Sequence, residues 1–264
     1  RKHAKIEPER FYYHCDQLGM LVWQDMVNGG SAYKHWFVTY LATLMNWNHI
    51  SFSDDEKHAG LLSRLHPEGK DEFRREITET IAFLYNHPSI VVWVPFNEGW
   101  GQFDALAACE QIRTLDSSRL VDHASGWFDQ KGGDILSLHY YFLKLKFKPE
   151  SKRAAALTEF GGYSLSIPGH SCCKKVYGYK KFNSTGTLTY GYIDLIRQTI
   201  LPAVKKGIGA TVYTQLSDIE EETNGIYTYD REICKIDPDT LRKWNRALKE
   251  AGECKTYADH TTDH

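Results

Sequence analysis

Residues 90–100 read Ile-Val-Val-Trp-Val-Pro-Phe-Asn-Glu-Gly-Trp. The first five are β-branched or aromatic with no polar break, as in a strand covered on both faces within a parallel sheet. Asn97 and Glu98 then deliver an amide and a carboxylate at the strand's C-terminal end. The same design recurs outward along the chain, at residues 19–25 (GMLVWQD), 120–125 (LVDHAS), 135–141 (ILSLHYY), 154–160 (AAALTEF) and 209–218 (GATVYTQLSD). Helical spacing fills the intervals. Pro8 suits a first helical position before Phe11, Tyr12, Cys15 and Leu18. Asp71 can cap a helix whose inner face is Phe73, Ile77, Ile81 and Leu84. Residues 103–115 and 188–206 follow suit, the latter interrupted near Pro202, and Asp237-Pro238 opens a last helix with Leu241, Trp244 and Leu248 on one face.

Alternating strands and helices predict a parallel α/β fold. A doubly wound sheet would show a glycine-rich phosphate loop after an early strand. Neither GxGxxG nor GxxxxGK[ST] occurs. A (β/α)8 TIM-type barrel places polar groups on many strand ends at once, which is the distribution seen. Two long segments, 26–89 and 163–187, would emerge at that C-terminal face, where binding loops sit. Residues 1–252 are expected to form the barrel and 253–264 a polar tail.

Composition narrows the partners. The chain has 264 residues, with 32 Lys+Arg against 34 Asp+Glu. That balance gives no basic surface for nucleic acid or anionic membrane, and no apolar run reaches the ~20 residues that span a bilayer. The first residues hold no apolar signal segment, and the sequence assigns no compartment. Six irregularly spaced cysteines without CxxC read as reduced thiols rather than a disulfide framework or zinc site.

Thr158-Glu159-Phe160-Gly161-Gly162 is a second carboxylate at a strand end. A carboxylate in such a partly dry position can have its pKa raised and act as an acid. Two of them converging on one bond are what glycoside hydrolysis requires: one to protonate the leaving oxygen, one to attack or to activate water. An ion pair with Arg or Lys would satisfy either Glu equally well; finding two, each in an uncharged strand and each followed by glycine, shifts the balance toward chemistry.

The segments HPSIVVWVPFNEGWGQ and LTEFGG resemble the acid/base and nucleophile segments of family 2 glycoside hydrolases, the family of the large β-galactosidases, β-glucuronidases and β-mannosidases. KIEPERFYYHCDQLGMLVWQDM and YTQLSDIEEETNGIYTYDRE extend the resemblance over most of the chain. It implies a retaining (β/α)8 enzyme with Glu98 as acid/base, Glu159 as nucleophile and Asn97 binding the sugar 2-hydroxyl. The two carboxyl groups of a retaining pair would lie about 5–5.5 Å apart. Arg1 and His3 resemble an Arg and His ending the family's second strand, with a spacing one residue shorter. Tyr140 matches a tyrosine that hydrogen-bonds the nucleophile, and its neighbour His139 is as good a candidate on geometry. Tyr213 occupies the place of a Trp that floors the sugar site in many members. Asp25 and His123 are strand-end candidates for sugar hydroxyls, and Trp100 and Trp127 for stacking; for each, a packing or structural role is as good a reading.

The resemblance implies a terminal β-linked sugar as substrate, with β-galactoside the first expectation, and it names no cofactor. No HxH or HExxH supports a metal. The alternatives are a carbohydrate-binding or scaffold barrel without catalysis, and a metal-dependent TIM-barrel hydrolase recruiting His123, His139 and Asp25. If Glu98 ends the fourth strand, only strands three to eight are found and Arg1 falls at the end of the second. The expectation is therefore an incomplete barrel, the C-terminal part of a larger enzyme.

Overall fold

The computed structural model describes residues 1–259 apart from 33, 35, 49, 142 and 143. It divides into two compact units, one of Arg1–Leu138 with Glu150–Ala154, the other of His139–Pro149 with the chain from Ala155 onward.

The first unit is built on β1 (Val22–Asp25), β2 (Ile90–Val94) and β3 (Leu120–Val121), parallel and in that order. Asp25 pairs with Val94, and Trp93 with Val121. Every residue of β2 except Val91 is buried, as its unbroken apolar run predicts. Helix α1 (Glu9–Leu18) turns Tyr12 and Cys15 inward. Leu18, expected on the same face, is 78% exposed, because the helix ends there. Gly19 stops it at φ 64°, its N–H bonding Asp16 O while the Met20 N–H bonds Cys15 O.

The segment between β1 and β2 carries a π-helical turn Phe37–Ala42, α2 (Thr43–Trp47) and α3 (Pro67–Leu84). In α3, Phe73, Ile77, Ile81 and Leu84 form the inner face, as their spacing predicts. The helix starts four residues before Asp71, because Pro67 brings its helical φ to the first position and holds His66 extended. Asp71 pairs with Arg74 instead, at 3.0 Å. Helix α4 (Ala105–Leu115) is capped from a distance by Asp54, whose carboxylate accepts the Ala105 N–H at 3.0 Å. Phe73 stacks on Phe96 at 5.0 Å, with Phe103 edge-on to both, in a core that continues through Tyr12, Trp93 and Ile112. Trp127 belongs to a smaller cluster with Phe37, Leu62 and Phe128.

The unit boundary falls inside β4 (Ile135–Tyr140), which with β5 (Ala154–Gly161) and β8 (Ile208–Thr214) forms a second sheet in the order β4-β5-β8. Gly161 of β5 lies opposite Thr214 of β8, in parallel pairing. A short parallel ladder of β6 (Tyr163–Ser164) and β7 (Lys180–Lys181) sits in the segment expected to be a long loop. Ser184 and Thr187 form a reciprocal cap at the start of α5 (Thr185–Leu195). A π turn at Ile196–Ile200 leads into α6 (Leu201–Lys205), so the chain passes Pro202 within a first helical turn instead of breaking there. Helix α7 spans Pro238–Asp259, carrying helix into the segment expected to be a tail; 260–264 lie outside the described residues. No helix among the described residues is long and apolar enough to cross a membrane.

Candidate active site

Arg1 organises the first unit's polar cluster. Its Nε and Nη2 donate to the two carboxylate oxygens of Asp25 at 2.9 and 2.8 Å, and Nη2 also donates to Asn97 Oδ1 at 2.9 Å. Asp25 is buried at the end of β1 and further accepts the Ala4 N–H at 3.1 Å. Burial alone would raise its carboxyl, but the Arg1 charge and the bonds from His3 and Arg1 outweigh it and hold Asp25 below its ordinary value. His3 is 58% exposed, with Nδ1 3.4 Å from the same carboxylate.

This arrangement settles how Asn97 faces. Arginine can only donate, so the Asn97 carbonyl oxygen points to Arg1 and its NH2 faces away from that guanidinium. The Asn97 backbone bridges to Ser125, and the Glu98 N–H donates to Ser125 O at 2.9 Å. Glu98 adopts φ 50°, a left-handed conformation unusual for a side-chain-bearing residue. Gly99 follows at φ 72°, where a Cβ would lie 2.3 Å from the Phe128 ring. The turn thus needs a glycine after the carboxylate, which gives the Glu-Gly sequence a local physical reason. Trp100 anchors the far side, its indole N–H donating to Ser31 O at 3.2 Å.

In the second unit, Glu159 stands near the end of β5 between buried Thr158 and Phe160, its side chain 14% exposed. The Tyr141 hydroxyl donates to Glu159 Oε2, and His139 Nδ1 is 3.5 Å from the same oxygen. Tyr141 also lies 3.2 Å from Thr214 Oγ1 at the end of β8. Its ring stacks on Tyr179 at 4.0 Å and 16°. Gly161 and Gly162, at φ 96° and 63°, leave room for the Tyr213 and Tyr179 rings, each of which would lie 2.4 Å from an added Cβ.

The predicted residues are not all placed alike. Arg1, His3, Asp25 and Asn97 share one cluster, Glu98 follows Asn97 and is tied by its backbone to Ser125, and His139 and Glu159 meet in the other unit. The tyrosine on Glu159 is Tyr141, not Tyr140. Side chains alternate along a strand, so His139 and Tyr141 share a face and Tyr140 takes the opposite one. There Tyr140 stands near Tyr163, whose phenol is pushed up to about 12, chiefly by burial. Counting by two from His139 would have found Tyr141.

Tyr213 is half-buried and packs edge-on to Phe160 and Tyr192 at 5.4 and 5.6 Å, and burial raises its phenol. His123 is also turned inward, 1% exposed, with Nε2 accepting the Gln130 N–H at 3.1 Å and lying 3.2 Å from Asp129. Elsewhere in the second unit, His170, Asp230 and Glu232 bring ligand-type atoms within 4.8 Å of one another. Within that group His170 Nδ1 and Asp230 are hydrogen-bonded at 2.7 Å, both partly exposed.

Comparison with known proteins gives this arrangement a family. The β-galactosidase of Leuconostoc mesenteroides is 26% identical over 263 residues, covering 94% of this chain and 22% of its own length. The β-mannosidase B of Thermothelomyces thermophilus is 32% identical over 94 residues, 36% of this chain and 8% of that protein. Among solved structures, the β-D-glucuronidase from Dictyoglomus thermophilum superposes with a TM-score of 0.60 at 14% identity, over 92% of this chain and 43% of that one. The chain therefore spans less than half the length of these relatives. Residues 7–201 match the model of the glycosyl hydrolases family 2 TIM barrel domain. By that match the chain belongs to glycoside hydrolase family 2 and has the TIM-barrel fold of its catalytic domain, here with a partial set of strands.

Proposed function

We propose that the protein is a retaining exo-β-glycosidase in which Glu159 is the nucleophile and Glu98 the acid/base. Glu98 protonates the glycosidic oxygen as a Glu159 oxygen attacks the anomeric carbon, giving a glycosyl-enzyme ester. Glu98, now a carboxylate, takes a proton from water, which attacks the same carbon and frees Glu159. The Asn97 amide, oriented by Arg1, donates to the sugar 2-hydroxyl. A terminal β-linked sugar is the substrate, with β-galactosides the first candidates: the β-galactosidase is the relative aligned along 94% of this chain.

The observation that carries the reading is the setting of Glu159, a largely shielded strand-end carboxylate held by Tyr141 with His139 beside it. The test is trapping. A 2-deoxy-2-fluoro-β-galactoside with a good leaving group, given to the full-length protein, should stop turnover and leave its sugar on the tryptic peptide 154–174, at Glu159. A label on Glu98, or inactivation without any label, would refute the assignment. A parallel series of aryl β-mannosides and β-glucuronides reads the sugar preference.

A further inference from the structure

Cys172 and Cys173 lie in the segment between β6 and β7. Adjacent side chains of an extended strand point to opposite faces. Here the backbone bends at Cys172, and the two sulfurs are in contact at 3.4 Å. Cys172 is exposed and Cys173 partly so. Of the other cysteines whose side chains are described, Cys15 and Cys109 are buried, and the Cys234 thiol donates to Ile236 O at 3.0 Å. Among the described residues, only this pair offers two sulfurs in contact to a reagent from solution.

We propose that Cys172 and Cys173 form a reversible redox site, a vicinal dithiol that closes to an intramolecular disulfide in exchange with a low-molecular-weight disulfide such as glutathione disulfide. Cys172 attacks as its thiolate, breaking the S–S bond of the oxidant and releasing one thiolate. Cys173, as its thiolate, then attacks the Cys172 sulfur of the mixed disulfide and expels the second. Two protein thiols are oxidised, one external disulfide is reduced to two thiols, and the two protons pass to the departing thiolates. The order follows from the surroundings. Cys173 is pushed up by its hydrogen bond to Cys172, then by burial and by the charges of Cys172, Glu221 and Glu220, which leaves the more exposed Cys172 as the attacking sulfur. The eight-membered ring of a vicinal disulfide is strained and therefore easily reopened, which suits a switch rather than a staple.

Closure has a structural consequence. In the dithiol the Cys172 S–H donates to Glu220 O at 3.2 Å. The disulfide has no hydrogen to give, so that tie to the segment after β8 is lost. It stands beside the backbone bonds Tyr177 N–H to Glu221 O (2.7 Å) and Thr223 N–H to Tyr177 O (3.2 Å). Tyr179, which stacks on Tyr141, lies on the cysteine segment two residues after Tyr177, so the thiol state bears on the ring that backs the partner of Glu159.

The experiment uses the full chain treated with excess glutathione disulfide, its remaining thiols then blocked with N-ethylmaleimide before digestion with trypsin. The peptide 154–174 contains both cysteines and no other. It is expected to lose the mass of two hydrogens and to regain it with dithiothreitol, while Cys173→Ser stops at a stable glutathione adduct on Cys172. A wild-type peptide that stays a free dithiol, or that retains glutathione on either cysteine, would overturn the proposal. So would pairing of Cys172 with a cysteine of another peptide.

Discussion

Tyr140 and Tyr141 are neighbours in sequence on opposite sides of β4, so one hydroxyl removed from each gives a controlled comparison. Tyr141→Phe keeps the stacked ring and removes the donor to Glu159. A preorganised donor at a reacting carboxylate is worth ~10²-fold in rate. The variant should lose about that much kcat with KM within a few-fold, while Tyr140→Phe stays near wild type in steady-state assays with an aryl β-glycoside. Equal losses in the two would remove Tyr141 from the site. The pair also shows what the sequence made legible. Glu98 and Glu159 stand out because an unbroken apolar strand ending in a carboxylate followed by glycine is conspicuous. Which tyrosine serves Glu159 depends on strand phase, and two consecutive tyrosines at a strand end hide it. His123 misleads for a related reason. Strand-end position says that a side chain is near the mouth, but whether it turns outward depends on partners that no strand pattern reveals, here Asp129 and Gln130.

Between elements, Asp116 is the joint of the first unit. Its carboxylate accepts the Trp93 indole N–H of β2 at 2.9 Å, the Arg119 guanidinium at 2.6 Å, and the Ser118 N–H and hydroxyl at 2.9 and 2.6 Å. Arg119 then donates to the carbonyls of Ile90, Tyr85 and His87, tying the end of α3 to β2. Burial would raise this carboxyl, but the bonds from Ser118, Arg119 and Trp93 prevail and bring it down to about 2. A carboxyl depressed in the folded state stabilises above its unfolded pKa, and that contribution disappears as pH falls through the folded value. The shift from 3.8 to about 2 is worth about 2 kcal/mol. Asp116→Asn should therefore lower the urea unfolding free energy by about 2 kcal/mol at pH 7, with the difference shrinking between pH 4 and pH 2. A pH-independent difference would assign the cost to packing. None of this joint shows in the sequence, because it links residues 85 to 119 through carbonyls that no side-chain pattern reveals. Helix faces were legible where spacing alone decides them, as in α3, whereas ends depend on local exceptions such as Pro67 and the π turn before Pro202.

At the scale of the whole molecule, Asn97 and Arg1 belong to one compact unit, as does Glu98, and Glu159, Tyr141 and His139 to the other. In the proposal Glu98 moves the proton and Glu159 makes the bond to sugar. This division has a stereochemical signature. If Glu98→Ala is made in the full-length protein, an activated aryl glycoside needs no acid and still forms the Glu159 ester, which then waits for a nucleophile because no base assists water. Azide needs no base, so it should restore turnover by at least ~10-fold and give the β-glycosyl azide, the product of two inversions. If Glu159→Ala is made instead, no ester forms. Azide can then enter only from the vacated side and gives the α-glycosyl azide by one inversion, read directly by the anomeric proton coupling in NMR. Exchanged outcomes would reverse the roles of the two glutamates. A failure of azide to rescue either variant would remove both glutamates from their proposed roles, since a glutamate that only holds the fold cannot be replaced by a small anion.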